Sequence, residues 1–217
     1  MVKGVCVKVC GITNLPDAEL ASSLGADYLG FIQYPKSPRY ISLEKYRELL
    51  PSLPLTAKKV GVIVYSSMDE LAAYKDAGFD YLQIHFPNDT PFFEVALWTE
   101  LLPPHMMWLA PRVPPGRELD QSFLPLADYF LMDTFDPHHV GGSGKIGDWT
   151  NFKRLMGLYQ KINWVLAGGL NPENIAEAVK QSGTKRVDVN SGIETAPGLK
   201  DHEKMRLFFE NLSAAQA

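Results

Sequence analysis

The sequence predicts an α/β fold, a single (βα)8 barrel of the TIM type spanning residues 1–217. Three observations predict it. Short apolar, β-branched runs recur eight times, and helical spacing separates them. A phrase ending in Asp-Tyr recurs at the start of several runs. Residues able to carry chemistry follow many of the runs instead of gathering at one.

The eight candidate strands are 5–9, 28–31, 59–64, 81–85, 106–110, 129–133, 163–167 and 186–190. After the second, Leu43, Tyr46, Leu49, Leu50 and Leu53 follow a 3.6-residue stripe behind Ser42. After the third, Ser67-Met68-Asp69-Glu70 reads as a capping box, opening a helix that Gly78 closes. Segment 117–126, after the fifth strand, carries the weakest helical pattern. After the seventh, Asn171-Pro172 reads as an N-cap with proline at the first helical position, and Ile175, Ala178 and Val179 line one face. The phrases Leu24-Gly25-Ala26-Asp27-Tyr28-Leu29, Ala77-Gly78-Phe79-Asp80-Tyr81-Leu82 and Leu126-Ala127-Asp128-Tyr129-Phe130-Leu131 echo one another. Each reads as helix end, tight turn and strand start, as expected of one repeated βα unit.

Strict alternation implies a parallel sheet covered by helices. A doubly wound open sheet is the rival, but it concentrates its chemistry at one switch point. Here Cys10 follows the first strand, Arg39 the second, His85 the fourth and Asp133 the sixth, with glycine pairs after the seventh and eighth. That distribution favours a ring. The 217 residues fit one closed barrel, and no composition shift marks a second domain.

Hydrophobic residues make up 46% of the chain and charged residues 21%, with a formal charge of -4. No basic field recruits nucleic acid or a membrane surface. No apolar run approaches a membrane span, and the first residues lack a signal-peptide pattern. Two cysteines do not make a disulfide framework. The expectation is a reduced, cytoplasmic protein acting on a small molecule.

In Val5-Cys6-Val7-Lys8-Val9-Cys10-Gly11, alternation puts the valines toward the helices and Cys6, Lys8 and Cys10 into the barrel. Cys10, last in its strand, then sits at the mouth, where it is either a buried structural cysteine or a reactive thiol. Asp133 closes the sixth strand at the same rim, as a loop or capping residue or as an acid–base partner. A facing acid and base are what aldose–ketose interconversion requires. Gly142, Ser143 and Gly144 after strand six, Gly168 and Gly169 after strand seven, and Ser191 and Gly192 after strand eight are candidate anion receptors. They form no P-loop, because His139 and Ile146 occupy positions where that motif needs glycine and Ser or Thr. His138-His139 lacks nearby acidic or cysteine ligands and reads as a solvated loop pair. Arg39 is either a surface arginine or a bidentate clamp for a carboxylate.

These segments, in this order, resemble the phosphoribosylanthranilate isomerase family of tryptophan biosynthesis. The resemblance is carried by KVCGITN (8–14), GADYLGF (25–31), YPKSPRYIS (34–42), LQIH (82–85), LMDT (131–134), GGSGK (141–145), AGGLNPENI (167–175) and VDVNSGIE (187–194) with PGLKD (197–201). It implies a cofactor-free and metal-free Amadori rearrangement of N-(5-phosphoribosyl)anthranilate by a monomer or homodimer. It further implies Asp133 as general acid, Cys10 as general base, Arg39 at the anthranilate moiety, His85 in the site, the glycine turns at the phosphate, and a closing loop at 136–145. Two stretches depart from the family's pattern. Phe86-Pro87 stands where LQLHG has its glycine, and Leu109 and Pro111 stand where lysine and a non-proline residue are familiar.

The alternatives are a sister phosphate-binding barrel, such as a histidine-pathway aldose–ketose isomerase with aspartate in place of Cys10, and a non-catalytic phosphate-binding barrel. One expectation comes from alternation alone. Lys8 and Asp188 point inward from strands that adjoin in a closed barrel, so they should form a buried ion pair beneath Cys10.

Overall fold

The computed structural model describes residues 1–133 and 148–215. Eight parallel strands close into a barrel in chain order: β1 (Cys6–Val9), β2 (Tyr28–Ile32), β3 (Lys58–Val64), β4 (Tyr81–Pro87), β5 (Met107–Arg112), β6 (Tyr129–Met132), β7 (Asn163–Leu166) and β8 (Arg186–Val189). The seam pairs Cys6 with Arg186 and Lys8 with Asp188. Helices cover the barrel: α1 (Leu15–Ser23), α2 (Leu43–Leu49), α3 (Met68–Lys75), α4 (Phe92–Ala96), α5 (Trp149–Leu158), α6 (Ile175–Ser182) and α7 (His202–Ala214). A hairpin of β9 (Glu194–Ala196) and β10 (Leu199–Lys200) follows β8. No helix among the described residues is long and apolar enough to cross a membrane.

The period-two pattern sorts the residues as expected. Val5, Val7 and Val9 belong to the large core between barrel and helices, and Cys10 packs inside with Val60 and Val62. The recurring aspartates have a physical role. Asp27 accepts a hydrogen bond from the Val7 amide and donates its own amide to the Val7 carbonyl. Asp80 does the same for Lys59. Each clips the start of one strand to the start of the next, which sets the register of the ring.

The Ser67–Glu70 capping box forms as read. Helix α6 differs, because its regular turns begin at Ile175 behind Asn174. Asn171 and Asn174 each accept the other's backbone N–H, so the expected cap closes an extra turn around Pro172 instead. Between β5 and β6 a 3-10 turn (Gln121–Leu126) containing Pro125 stands in for a helix. Its Phe123 is fully buried, so the turn still covers the barrel wall.

The barrel's lower end is filled by rings. Tyr28, Tyr81 and Tyr129 open β2, β4 and β6, and Trp108 stacks on Tyr129 at 4.9 Å. Tyr28 meets Trp108 at 5.0 Å and Tyr81 at 5.8 Å, and the Arg186 guanidinium lies 5.7 Å from the Tyr129 ring centre. The three tyrosines thus supply one layer from alternate strands, and Trp108 of β5 packs against it.

Candidate active site

Above that floor the carboxyl ends of the strands surround a cavity that is open at its mouth. Ile32, His85, Asp133 and Asn190 line it from the ends of β2, β4, β6 and β8, and Cys10 faces them from β1. The residues expected from sequence at 10, 39, 85, 133, 168, 169 and 191 meet in this one space. Gly192 stands just behind, with the Leu170 carbonyl 2.0 Å from where its Cβ would be. Gly142, Ser143, Gly144, the histidine pair and loop 136–145 lie outside the described residues.

Cys10 is a free thiol, 3% exposed, held by an amide hydrogen bond of 2.9 Å to the Val189 carbonyl. Burial pushes its pKa up, and the Lys8 ammonium beneath it pulls the other way. The expected pair is present: Lys8 Nζ donates to Asp188 Oδ1 at 2.9 Å, with side chains 1% and 9% exposed. Burial opposes the Lys8 charge, but Asp188 and Cys10 together hold the ammonium above its ordinary range. Burial also pushes the Asp188 carboxyl up, against the pull of Lys8.

His85 is enclosed, and burial lowers its pKa to about 3, helped by the positive charges of Lys8 and Arg112. It is therefore a neutral imidazole near pH 7. Its Nε2 lies 2.7 Å from Gln83 Nε2, and with the amide donating, the ring proton sits on Nδ1. Phe86, at the place of the family's glycine, turns outward. It packs edge-on against Trp98 at 5.3 Å and Phe123 at 5.2 Å. That anchor extends β4 to Pro87 and leaves His85 facing inward. Pro111 falls two residues beyond Leu109↔Phe130, where β5–β6 pairing ends, so its missing N–H breaks no rung on that side.

Arg39 lines the cavity but is not a free clamp. Its Nε donates to both oxygens of Glu194 at 3.0 Å, and its Nη2 to Oε2 at 2.8 Å. Lys200 Nζ reaches the same carboxylate at 2.9 Å. Sequence reasoning missed Glu194 and Lys200. Pro197-Gly198 between them was the available signal, because a turn there folds Lys200 back opposite Glu194.

A family model described as N-(5'phosphoribosyl)anthranilate (PRA) isomerase matches residues 7–211. The chain belongs to this family. An N-(5'-phosphoribosyl)anthranilate isomerase of Aquifex aeolicus is 37% identical over 207 residues, covering 95% of this chain and 97% of the relative. The phosphoribosyl anthranilate isomerase of Thermus thermophilus superposes with a TM-score of 0.81 at 31% identity, over 97% of this chain and 99% of that one. A further isomerase of the family, solved with reduced 1-(o-carboxyphenylamino)-1-deoxyribulose 5-phosphate, gives a TM-score of 0.76 at 33% identity, again over 97% and 99%.

Proposed function

We propose that this chain is a phosphoribosylanthranilate isomerase. It converts N-(5'-phosphoribosyl)anthranilate to 1-(2-carboxyphenylamino)-1-deoxyribulose 5-phosphate without a cofactor, in the cytoplasm, as a monomer or homodimer. One observation carries the reading: a thiol and a carboxyl from different strand ends, Cys10 and Asp133, line a single cavity beside the turns at Gly168-Gly169 and Ser191. A sugar phosphate fits such a cavity because backbone N–H groups after strands seven and eight receive its phosphate.

Asp133 protonates the furanose ring oxygen, and the C1'–O bond breaks to give an open-chain protonated Schiff base. Cys10 then takes the C2' proton, and the electron pair moves to neutralise the iminium nitrogen. The resulting enolamine tautomerises to the ketone. Thiolate is scarce at a buried cysteine, so the charge beside it matters. Lys8 favours the thiolate from below, and the substrate's iminium favours it from above. Arg39 meets the anthranilate carboxylate, while His85 serves as a neutral hydrogen-bonding wall.

The test follows loss of anthranilate fluorescence with the phosphoribosyl substrate. General acid–base residues contribute about 10²–10⁴-fold, so Cys10→Ser and Asp133→Asn should each lower kcat within that span. Unaltered rates in both would overturn the mechanism.

A further inference from the structure

The strongest unassigned cluster lies beside the cavity, where the β9–β10 hairpin folds against the loop carrying Arg39. Glu194 opens β9, and the chain returns through Pro197-Gly198 to set Lys200 opposite it. The Glu194 and Lys200 side chains are 4% and 0% exposed, and that of Arg39 is 11% exposed. Solvent cannot satisfy a carboxylate so placed, and its two oxygens are taken up by the Arg39 fork, the Lys200 ammonium and the Gly198 amide.

Lys200 carries the connection further. Its other donors reach the Asn190 carbonyl at 3.2 Å and the Asn190 side-chain oxygen at 2.9 Å. Asn190 immediately precedes Ser191, so Lys200 grips both the backbone and the side chain from which the strand-eight turn hangs. The held groups also close over the chain beside Cys10. A Cβ on Gly11 would lie 2.6 Å from Asn190 Oδ1 and 3.1 Å from Arg39 Cδ.

We infer that Glu194 is a positioning residue whose single carboxylate sets both ends of the substrate's seat: Arg39 at one, and the Ser191 turn, through Lys200 and Asn190, at the other. Calling these the anthranilate and phosphate ends rests on the isomerase reading. Arg39 gives the Nε–Nη2 edge of its fork to Glu194, which leaves Nη1 outside that contact. A long side chain held this way loses its rotamer freedom before substrate arrives, so that cost is not charged against binding. Glu194 stands behind Arg39 and is not among the residues that line the cavity. Its loss should weaken binding of the ground and transition states alike, which appears in KM and not in kcat.

The first variant is Glu194→Gln, which keeps the shape and removes the charge. With a native circular dichroism spectrum, KM for the phosphoribosyl substrate should rise about tenfold or more while kcat stays within about threefold. A folded variant with unchanged KM, or one that loses kcat at constant KM, overturns the inference. The second variant, Lys200→Met, leaves the Arg39–Glu194 contact in place and decides the matter if the first does not fold. Calorimetric titration should then show inorganic phosphate binding weakened about tenfold and anthranilate binding changed less than about twofold. Unchanged phosphate affinity overturns it. Neither titration needs turnover. A wild-type protein that binds both probes but does not isomerise would refute the activity, and the positioning role would still stand or fall on its own.

Discussion

Lys8 and Asp188 meet across the β1–β8 seam, Nζ to Oδ1 at 2.9 Å, with almost no exposure to water. A buried pair of this kind adds little net stability, because desolvation offsets the attraction. Losing one partner is costly, because the other charge stays buried. The pair's value therefore lies in the cation it holds under Cys10.

Replacing Lys8 with Met should cost about 3–5 kcal/mol of folding stability, and Asp188→Asn in the same chain should recover part of it. In a Cys6→Ser background, the pH dependence of iodoacetamide alkylation reports Cys10 alone. Burial pushes that thiol up and Lys8 pulls it down, so Lys8→Met should move its apparent pKa higher still. An equal or lower value would mean that Lys8 does not act on the thiol.

Acid should destabilise the protein through His85. The folded-state pKa of His85 is depressed from 6.5 to about 3, so the unfolded chain binds the proton first. The stability this gives is complete above pH 6.5 and is lost as pH falls toward about 3. One proton contributes a slope of about 1.4 kcal/mol per pH unit in that window. Denaturant titrations should therefore show a shallower acid limb for His85→Gln. Parallel limbs in the two proteins would count against a neutral, buried His85.

Gly30 faces the thiol and the ammonium together. A Cβ there would lie 2.9 Å from Cys10 Sγ and 2.9 Å from Lys8 Nζ. Lys8 is tied to Asp188 and cannot swing aside freely, so the methyl group must displace the thiol. Gly30→Ala should cost about 1–3 kcal/mol in stability and lower kcat about tenfold or more. A steady-state rate within twofold of wild type would show that Cys10 tolerates the shift.

At Gly192 the obstacle is backbone. With the Leu170 carbonyl 2.0 Å from the added carbon, Gly192→Ala must push the strand-eight turn away from the strand-seven turn. Inorganic phosphate should then bind about tenfold more weakly, while Cys10 alkylation is unaffected. Calorimetry checks the first effect and the alkylation rate the second. Undiminished phosphate binding would place the anion elsewhere.

The ring was legible because its determinants are local. Strand alternation alone placed Val5, Val7 and Val9 outside and Lys8 and Cys10 inside, and closure then made the Lys8–Asp188 contact a geometric consequence. Segment 117–126 misled because Pro125 removes an amide that an α-helix needs, and Phe123 covers the wall from a 3-10 turn just as well. Helix α6 began later than read, because Asn171 and Asn174 cap each other around Pro172. The partner of Arg39 was hidden for a different reason. Glu194 lies 155 residues away, and no local pattern in either segment points to the other. Long-range polar pairing between loops leaves no periodic trace.

The ring of Tyr28, Tyr81, Tyr129 and Trp108 has a kinetic consequence. A chamber shut at one end has a single doorway. Departing product uses the path by which the next substrate arrives, so the two exclude each other for as long as either is inside. Inhibition by product, which occupies the chamber itself, should therefore be purely competitive.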